Sequence, residues 1–253
     1  MATSGTLGAE ERRAWIMTRI EQEGALRLDA AAAGLRVSAM TVRRDLDDLE
    51  GEGLVRRVRG GAVLALGPRP FSERRTVNSR AKQVIAHKAL ALIPSDGAVA
   101  LDASTTSGTL GSALSGTLDV TVATNSHENF AALRGTSGVT PVLVGGELEG
   151  RTGSFVGLIA CQAASSMLYR RFFTSASAVD AAHGASEVSL AETQVKHAFG
   201  GASREVVLCV DSSKLGRQSV SLSFPLAGIS VMITELDPRD SRLDPYRELV
   251  ELL

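Results

Sequence analysis

Several short polar segments carry residue types that can hold an anion. The run Asp102-Ala103-Ser104-Thr105-Thr106-Ser107-Gly108 lines up four hydroxyls ahead of a stretch of helical composition around Leu110 to Leu114. Hydroxyls together with the free amides of a helix's first turn are a common way to solvate a phosphate. Thr124-Asn125-Ser126 and Gly145-Gly146 offer further polar or uncovered backbone, and Asp211-Ser212-Ser213-Lys214 adds an ammonium. Lys196 follows Glu192 by one helical turn. Singly these are weak signals, because a Ser/Thr-rich loop is more often a turn, and Glu192 with Lys196 reads equally well as an i, i+4 surface pair. Together they point to one shared pocket, with Asp102, Ser104, Thr105, Thr106, Asn125, Gly145, Gly146, Lys196 and Lys214 as its candidate residues.

A second group of residues suits a different chemistry. Ser38-Ala39-Met40-Thr41-Val42-Arg43-Arg44-Asp45-Leu46 is followed by Arg56, Arg57 and Arg59 in a Gly-terminated stretch. Guanidinium groups near the start of a helix can read base edges in a major groove, while those on an adjacent hairpin hold phosphates. Ser38, Met40, Thr41, Arg43 and Arg44 are the candidates for the groove, and Arg56, Arg57 and Arg59 for the backbone. The charge pattern alone also fits a salt-bridged surface helix, since Arg43 with Asp47 and Arg44 with Asp48 are i, i+4 pairs.

The elements that position these residues follow from spacing. Arg12, Ile16, Ile20 and Gly24 step by four along a first helix that glycine ends, and Asp29 can cap a short second helix over Ala30 to Leu35. Ser38 is a good cap for a third helix, with Val37 and Val42 at the positions of a hydrophobic staple. Val42, Leu46 and Leu49 make its buried stripe, so Met40, Arg44 and Asp47 face outward with Thr41 and Arg43 at the margins. Gly51 and Gly53 are expected to end this helix. Two short strands around Leu54-Val55 and Arg57-Val58 would then flank a basic wing closing on Gly60-Gly61.

Beyond about Arg80 short apolar runs alternate with helical segments: Val99 to Leu101, Val120 to Ala123, Val142 to Val144, Phe172 to Ser175, Val206 to Val210 and Val231 to Thr234. That alternation predicts a mainly parallel sheet covered by helices, with ligands beyond the carboxyl ends of the strands, where the polar clusters fall. The chain is 253 residues long with a formal charge of −1, but residues 54–80 hold 7 basic and 1 acidic side chains between two acidic flanks. Such a local basic stretch is an electrostatic footprint that the average conceals. Cys161 and Cys209 have no Cys or His neighbour at ligand spacing and read as small core residues, and the four histidines are scattered. No metal site and no cofactor is expected. No apolar run reaches membrane-spanning length and the first residues lack a signal-peptide pattern, so the expected location is cytoplasmic, with no membrane partner.

These residues resemble the DeoR-type family of bacterial transcriptional regulators. The resemblance rests on Val37-Ser38, Thr41-Val42-Arg43-Arg44-Asp45-Leu46, Leu49-Glu50, Gly53-Leu54, Arg57 and Gly60-Gly61-Ala62, then on Asp102 to Thr106, Thr124 to Ser126, Gly145-Gly146, Ser154 to Gly157, Glu192 to Lys196 and Asp211 to Lys214. Ala31, Arg36 and Arg59 depart from the pattern, and Arg36 replaces the turn's usual glycine. The resemblance implies a winged helix-turn-helix over 1–62, a basic linker over 63–80, and over 81–253 a Rossmann-like α/β sensor domain similar to ribose-phosphate isomerases and CoA transferases. It also implies a repressor of carbohydrate or related genes that binds a double-stranded DNA operator, answers to a phosphorylated sugar, and works as a homo-oligomer. The segment Phe172 to Asp180 departs from the usual Gly-rich version. One alternative is a sugar-phosphate isomerase or deaminase-like enzyme carrying an N-terminal interaction module, with Asp180, Glu192 or Asp211 as base. Another is a metabolite-binding scaffold whose N-terminal helices bind protein, against which the Arg-rich wing argues.

Overall fold

The computed structural model describes residues 8–51, 54–64, 70–115 and 119–253, and the chain divides into two units, residues 1–70 and 71–253. In the first unit α1 (Ala9–Glu23) carries Glu10 and Glu11 in its first turn, where acids suit the helix dipole, and stops at Gly24 in the left-handed region. A three-residue strand, β1 (Ala25–Arg27), leads into α2 (Leu28–Leu35). Asp29 was expected to cap α2. It lies inside the first turn instead, paired with Arg27 at 2.7 Å, because the helix begins two residues earlier than its alanines suggest.

Helix α3 (Ala39–Gly51) starts as its sequence indicates: the Ser38 hydroxyl accepts the Thr41 amide at 3.1 Å. Val42, Leu46 and Leu49 are buried with Ile16, Ile20, Leu26, Ala31, Leu35, Leu54, Val55 and Ala62, and Val37 packs at the edge of this core. Trp15 packs on the same rim, over Gly34 of α2, with the Arg19 guanidinium 5.6 Å from its ring centre. Gly53 lies outside the described residues. The wing is one strand later than expected: β2 (Val55–Val58) takes in both predicted strand segments, Arg59-Gly60 makes the turn, and β3 (Gly61–Leu64) returns. Pairing sets that register, because β3 also binds β1, with Leu26 opposite Ala62. Gly61 permits it, since a Cβ there would lie 2.1 Å from the Leu26 carbonyl oxygen.

The second unit opens with α4 (Phe71–Thr76) and α5 (Ser79–Leu90). Of the stretch 63–80 read as a basic linker, Val63 and Leu64 thus belong to β3, residues 65–69 lie outside the described residues, and residues 71–80 belong to the second unit. Arg74, Arg75 and Arg80, counted in the basic stretch 54–80, thus belong to the second unit and not to the wing.

There follow β4 (Asp96–Leu101), α6 (Thr105–Ala113), β5 (Asp119–Thr124), α7 (His127–Leu133), β6 (Val139–Leu143), a hairpin of β7 (Glu147–Glu149) and β8 (Ser154–Val156), and α8 (Gly157–Ser165). Then come β9 (Tyr169–Thr174), β10 (Ala178–Asp180), β11 (Gly184–Glu187), α9 (Leu190–Gly201), β12 (Ser203–Cys209), β13 (Ser221–Phe224), β14 (Val231–Ile233) and β15 (Glu251–Leu252). The main sheet runs β15-β14-β12-β9-β4-β5-β6 and is parallel throughout, whereas β10, β11 and β13 form a small antiparallel sheet.

Strand periodicity divides the core in two. Val99, Leu101, Val122, Phe173, Val207 and Cys209 pack with Ile85 of α5, Leu110 of α6 and Leu133 of α7. Their alternate neighbours Ala100, Ala123, Phe172, Val206 and Leu208 pack with Ala160 of α8 and Phe199 of α9. Helices cover both faces, and in sheets of this kind ligands bind beyond the carboxyl ends of the strands. Strand order reverses between β4 and β9, which places the switch-point crevice beside Asp102 and Ser175.

Candidate nucleic-acid interface and effector site

The outward face of α3 presents Met40, 66% exposed, with Arg43 and Arg44. The expected i, i+4 pairs do not form. Asp45 turns inward and receives a two-pronged bond from Arg12 at 2.7 and 2.9 Å, Asp48 pairs with Arg13 at 3.1 Å, and Asp47 with Arg57. All three acids are thus held by α1 or the wing, and among the described residues Arg43 and Arg44 make no ion pair. Arg57 stands apart from its neighbours: its side chain bonds Asp47, and its amide donates to Glu50 at 2.7 Å. Alternation along β2 puts Val55 and Arg57 towards α3 and leaves Arg56 exposed, as Arg59 is in the turn. Ser38 and Thr41 bond one another through their hydroxyls at 2.9 Å at the exposed start of the helix.

In the second unit the four expected clusters lie on one edge of the sheet. Ser104 caps α6 by accepting the Ser107 amide at 3.0 Å, and Thr105 and Thr106 form the first turn. Asp102 is buried beneath this turn. Its carboxylate accepts the Ser104 amide at 3.0 Å, the Thr174 hydroxyl at 2.8 Å and the Ser175 amide at 2.8 Å. Burial would raise its pKa, but the Lys196 charge and these donors outweigh that and hold it at about 2.

Lys196 is 6% exposed and donates to the Ser175 carbonyl at 2.6 Å and to the carboxylates of Glu187 and Asp102. Burial would depress its pKa, yet those two carboxylates raise it above the ordinary lysine value. The reading of Glu192 and Lys196 as a surface pair fails: both are buried, and Glu192 accepts the Ser154 hydroxyl at 2.8 Å.

Asn125 donates to the Phe155 carbonyl at 3.0 Å. Gly146 is fixed by packing, because a Cβ would lie 2.6 Å from the Val156 oxygen, whereas Gly145 faces open space. Lys214 ends the turn Ser212–Lys214 that Asp211 caps.

Residues 12–66 match the DeoR-like helix-turn-helix domain, and residues 77–236, more than half of the chain, match the DeoR C-terminal sensor domain. The chain belongs to the DeoR family. Among its relatives are the uncharacterized HTH-type transcriptional regulator YulB of Bacillus subtilis, 30% identical over 93% of this chain and 90% of that one, and the lactose phosphotransferase system repressor of Streptococcus mutans, 29% identical over 95% and 98%. The glycerol-3-phosphate regulon repressor of Escherichia coli is 26% identical over 90% and 91%. As a DeoR-family member the chain is a DNA-binding transcriptional regulator with a sensor domain behind its helix-turn-helix.

Several residues of this DeoR-family chain escaped sequence reasoning. Asn129 donates to the Asp102 and Ser104 carbonyls at 3.0 and 3.1 Å and so braces the α6 loop from α7. Lys82 of α5 is buried and donates to the carbonyls of Arg74 and Val77. Asn78, in the left-handed region at φ 52, bonds Asp211 at 2.9 Å and Ser213 at 3.2 Å. Only Asn78 carried a signal, an Asn just ahead of a helix, where short polar side chains tolerate that conformation.

Proposed function

We propose that this chain is a cytoplasmic repressor of carbohydrate or related metabolic genes, which binds operator DNA as a homo-oligomer and answers to a phosphorylated sugar or similar metabolite. The observation that carries the DNA half is the fate of the α3 acids: with Asp45, Asp47 and Asp48 engaged within the unit, Met40, Arg43 and Arg44 are the face left to a groove. Ser38 and Thr41 stand at its leading end, Arg56 and Arg59 serve phosphates, and Arg57 aligns the wing against α3. Asp102, Ser104, Thr105, Thr106, Asn125, Gly145, Gly146 and Lys214 surround the effector, and Lys196 acts behind them by fixing Asp102. The names of the lactose phosphotransferase and glycerol-3-phosphate repressors support an effector of this class. The effector shifts DNA affinity by the difference in its affinity for the free and DNA-bound forms.

The enzyme reading would need a free carboxylate beside the α6 loop. Asp180 pairs with His183, Asp211 accepts from Asn78 and Ser213, and Glu192 accepts from Ser154. None of these bonds points to a proton-abstracting role, and the relatives are transcriptional regulators.

Retardation of the DNA upstream of the chain's own gene tests this proposal. Arg44→Ala is expected to weaken specific binding by about 1–3 kcal/mol, the worth of one good base contact. Arg56→Ala and Arg59→Ala should each lower the salt slope by about 1 and weaken all sequences alike. Retardation indifferent to all three substitutions would sink the reading.

A further inference from the structure

The two helical faces of the main sheet differ in what they show to solvent. On one, α5 and α7 turn Arg80, His87, His127 and Glu128 outward, and among the described residues of α5, α6 and α7 the one exposed large apolar side chain is Val84, at 39%. On the other, the β7–β8 hairpin packs on α8, α8 on α9, and α9 on β13. Along that row Leu148, Leu158, Ile159, Leu190, Val220 and Leu222 are each at least half exposed, Leu158 at 72% and Ile159 at 68%. Charge is missing from the same row. Residues 154–168, which include α8, contain no acidic, basic or histidine side chain, and neither do residues 218–234, which include β13. Glu192 and Lys196 of α9 are buried, so its outward stripe is Leu190, Gln194, His197 and Gly201. Glu147 and Glu149 flank Leu148 at one end of the row.

We propose that this row is the surface through which the chain binds a second copy of itself. Six side chains of this size offer on the order of 500 Å² of apolar surface. That is a patch which a monomer rarely leaves to water, and the greater part of the about 800 Å² that each partner gives to a standard interface. A two-fold pair brings the same patch of each copy together, so a face charged with one sign would repel its own image. A face without charge along α8 and β13 is free of that repulsion, whereas a partner recognised through charge would find nothing there to pair with. An apolar centre with acids at its rim is the composition of such an interface. The inference rests on the homo-oligomer reading above and names the surface that carries it. The second copy supplies the second helix-turn-helix that an operator with repeated half-sites needs.

Sedimentation of the full chain without DNA, across a concentration series, tests it. The wild type is expected to associate. Ile159→Glu and Leu222→Lys are each expected to weaken that association about a hundredfold, the effect of burying an unpaired charge at the centre of an interface. Both positions are exposed, and an acid in the first turn of α8 suits the helix dipole, so the circular dichroism of both variants should match the wild type and separate lost pairing from lost folding. Val84→Glu, on the opposite helical face, should associate as the wild type does. Variants at Ile159 and Leu222 that associate as tightly as the wild type would overturn this face and leave the homo-oligomer reading standing. A wild type that stays monomeric throughout would overturn both, and would give the row to a different protein or to the chain's own first unit.

Discussion

Lys82 is the residue whose chemistry is easiest to read outside the fold itself. Burial pushes its pKa down, Lys214 and Arg74 push the same way, and Asp211 opposes them, leaving it at about 8. The unfolded chain holds that proton up to the ordinary value of 10.5. Between the two values the unfolded state binds more protons, so Lys82 makes stability rise as pH rises through that window. Urea denaturation between pH 8 and 10.5 checks this, with Lys82→Met expected to lose the rise. A wild-type stability that does not rise across the window would show that Lys82 keeps its proton in the folded chain. Nothing in the sequence singled out Lys82, since its partners are carbonyls, and any residue type can supply a carbonyl. Asp102 shows the other side of this. Its position at a strand end was legible, while its bonds to Thr174 and Ser175, over 70 residues away, were not.

At the scale of elements, local chemistry was legible and pairing was not. Ser38 announced where α3 begins, and its period-3.6 stripe announced which face is buried, because both depend on neighbours within a turn. The wing was misread by one strand because its register depends on β1, which is too short to carry a pattern. The six apolar runs of the sheet emerged correctly for the opposite reason: strands buried on both faces are apolar whatever they pair with.

Arg36 is a local feature with a measurable cost. It sits at φ 54 and ψ 42 directly after α2, its amide donating back towards Ala33 at 3.3 Å. A residue with a Cβ is strained there by about 1–2 kcal/mol, which glycine avoids. Arg36→Gly should therefore stabilise the first unit by about 1 kcal/mol in urea denaturation, and a loss of stability would show that the arginine side chain does more than its backbone suggests.

The molecule as a whole divides into a small and a large unit with separate cores. A ligand that binds only the native sensor stabilises that unit by RT ln(1 + [L]/Kd), about 2.7 kcal/mol at a hundredfold excess over Kd. Calorimetry of the full chain should show two transitions, with phosphate raising only the one that belongs to residues 71–253. Equal movement of both would mean that the two units unfold as one.

The indole of Trp15 gives this experiment a second channel. It is the chain's single tryptophan, and it lies against Gly34 under the Arg19 guanidinium, on the rim of the first core. Intrinsic fluorescence excited at the red edge is therefore emitted by the helix-turn-helix unit alone. A change in that emission when phosphate binds near Thr105 would be a message received, with no label attached to the protein.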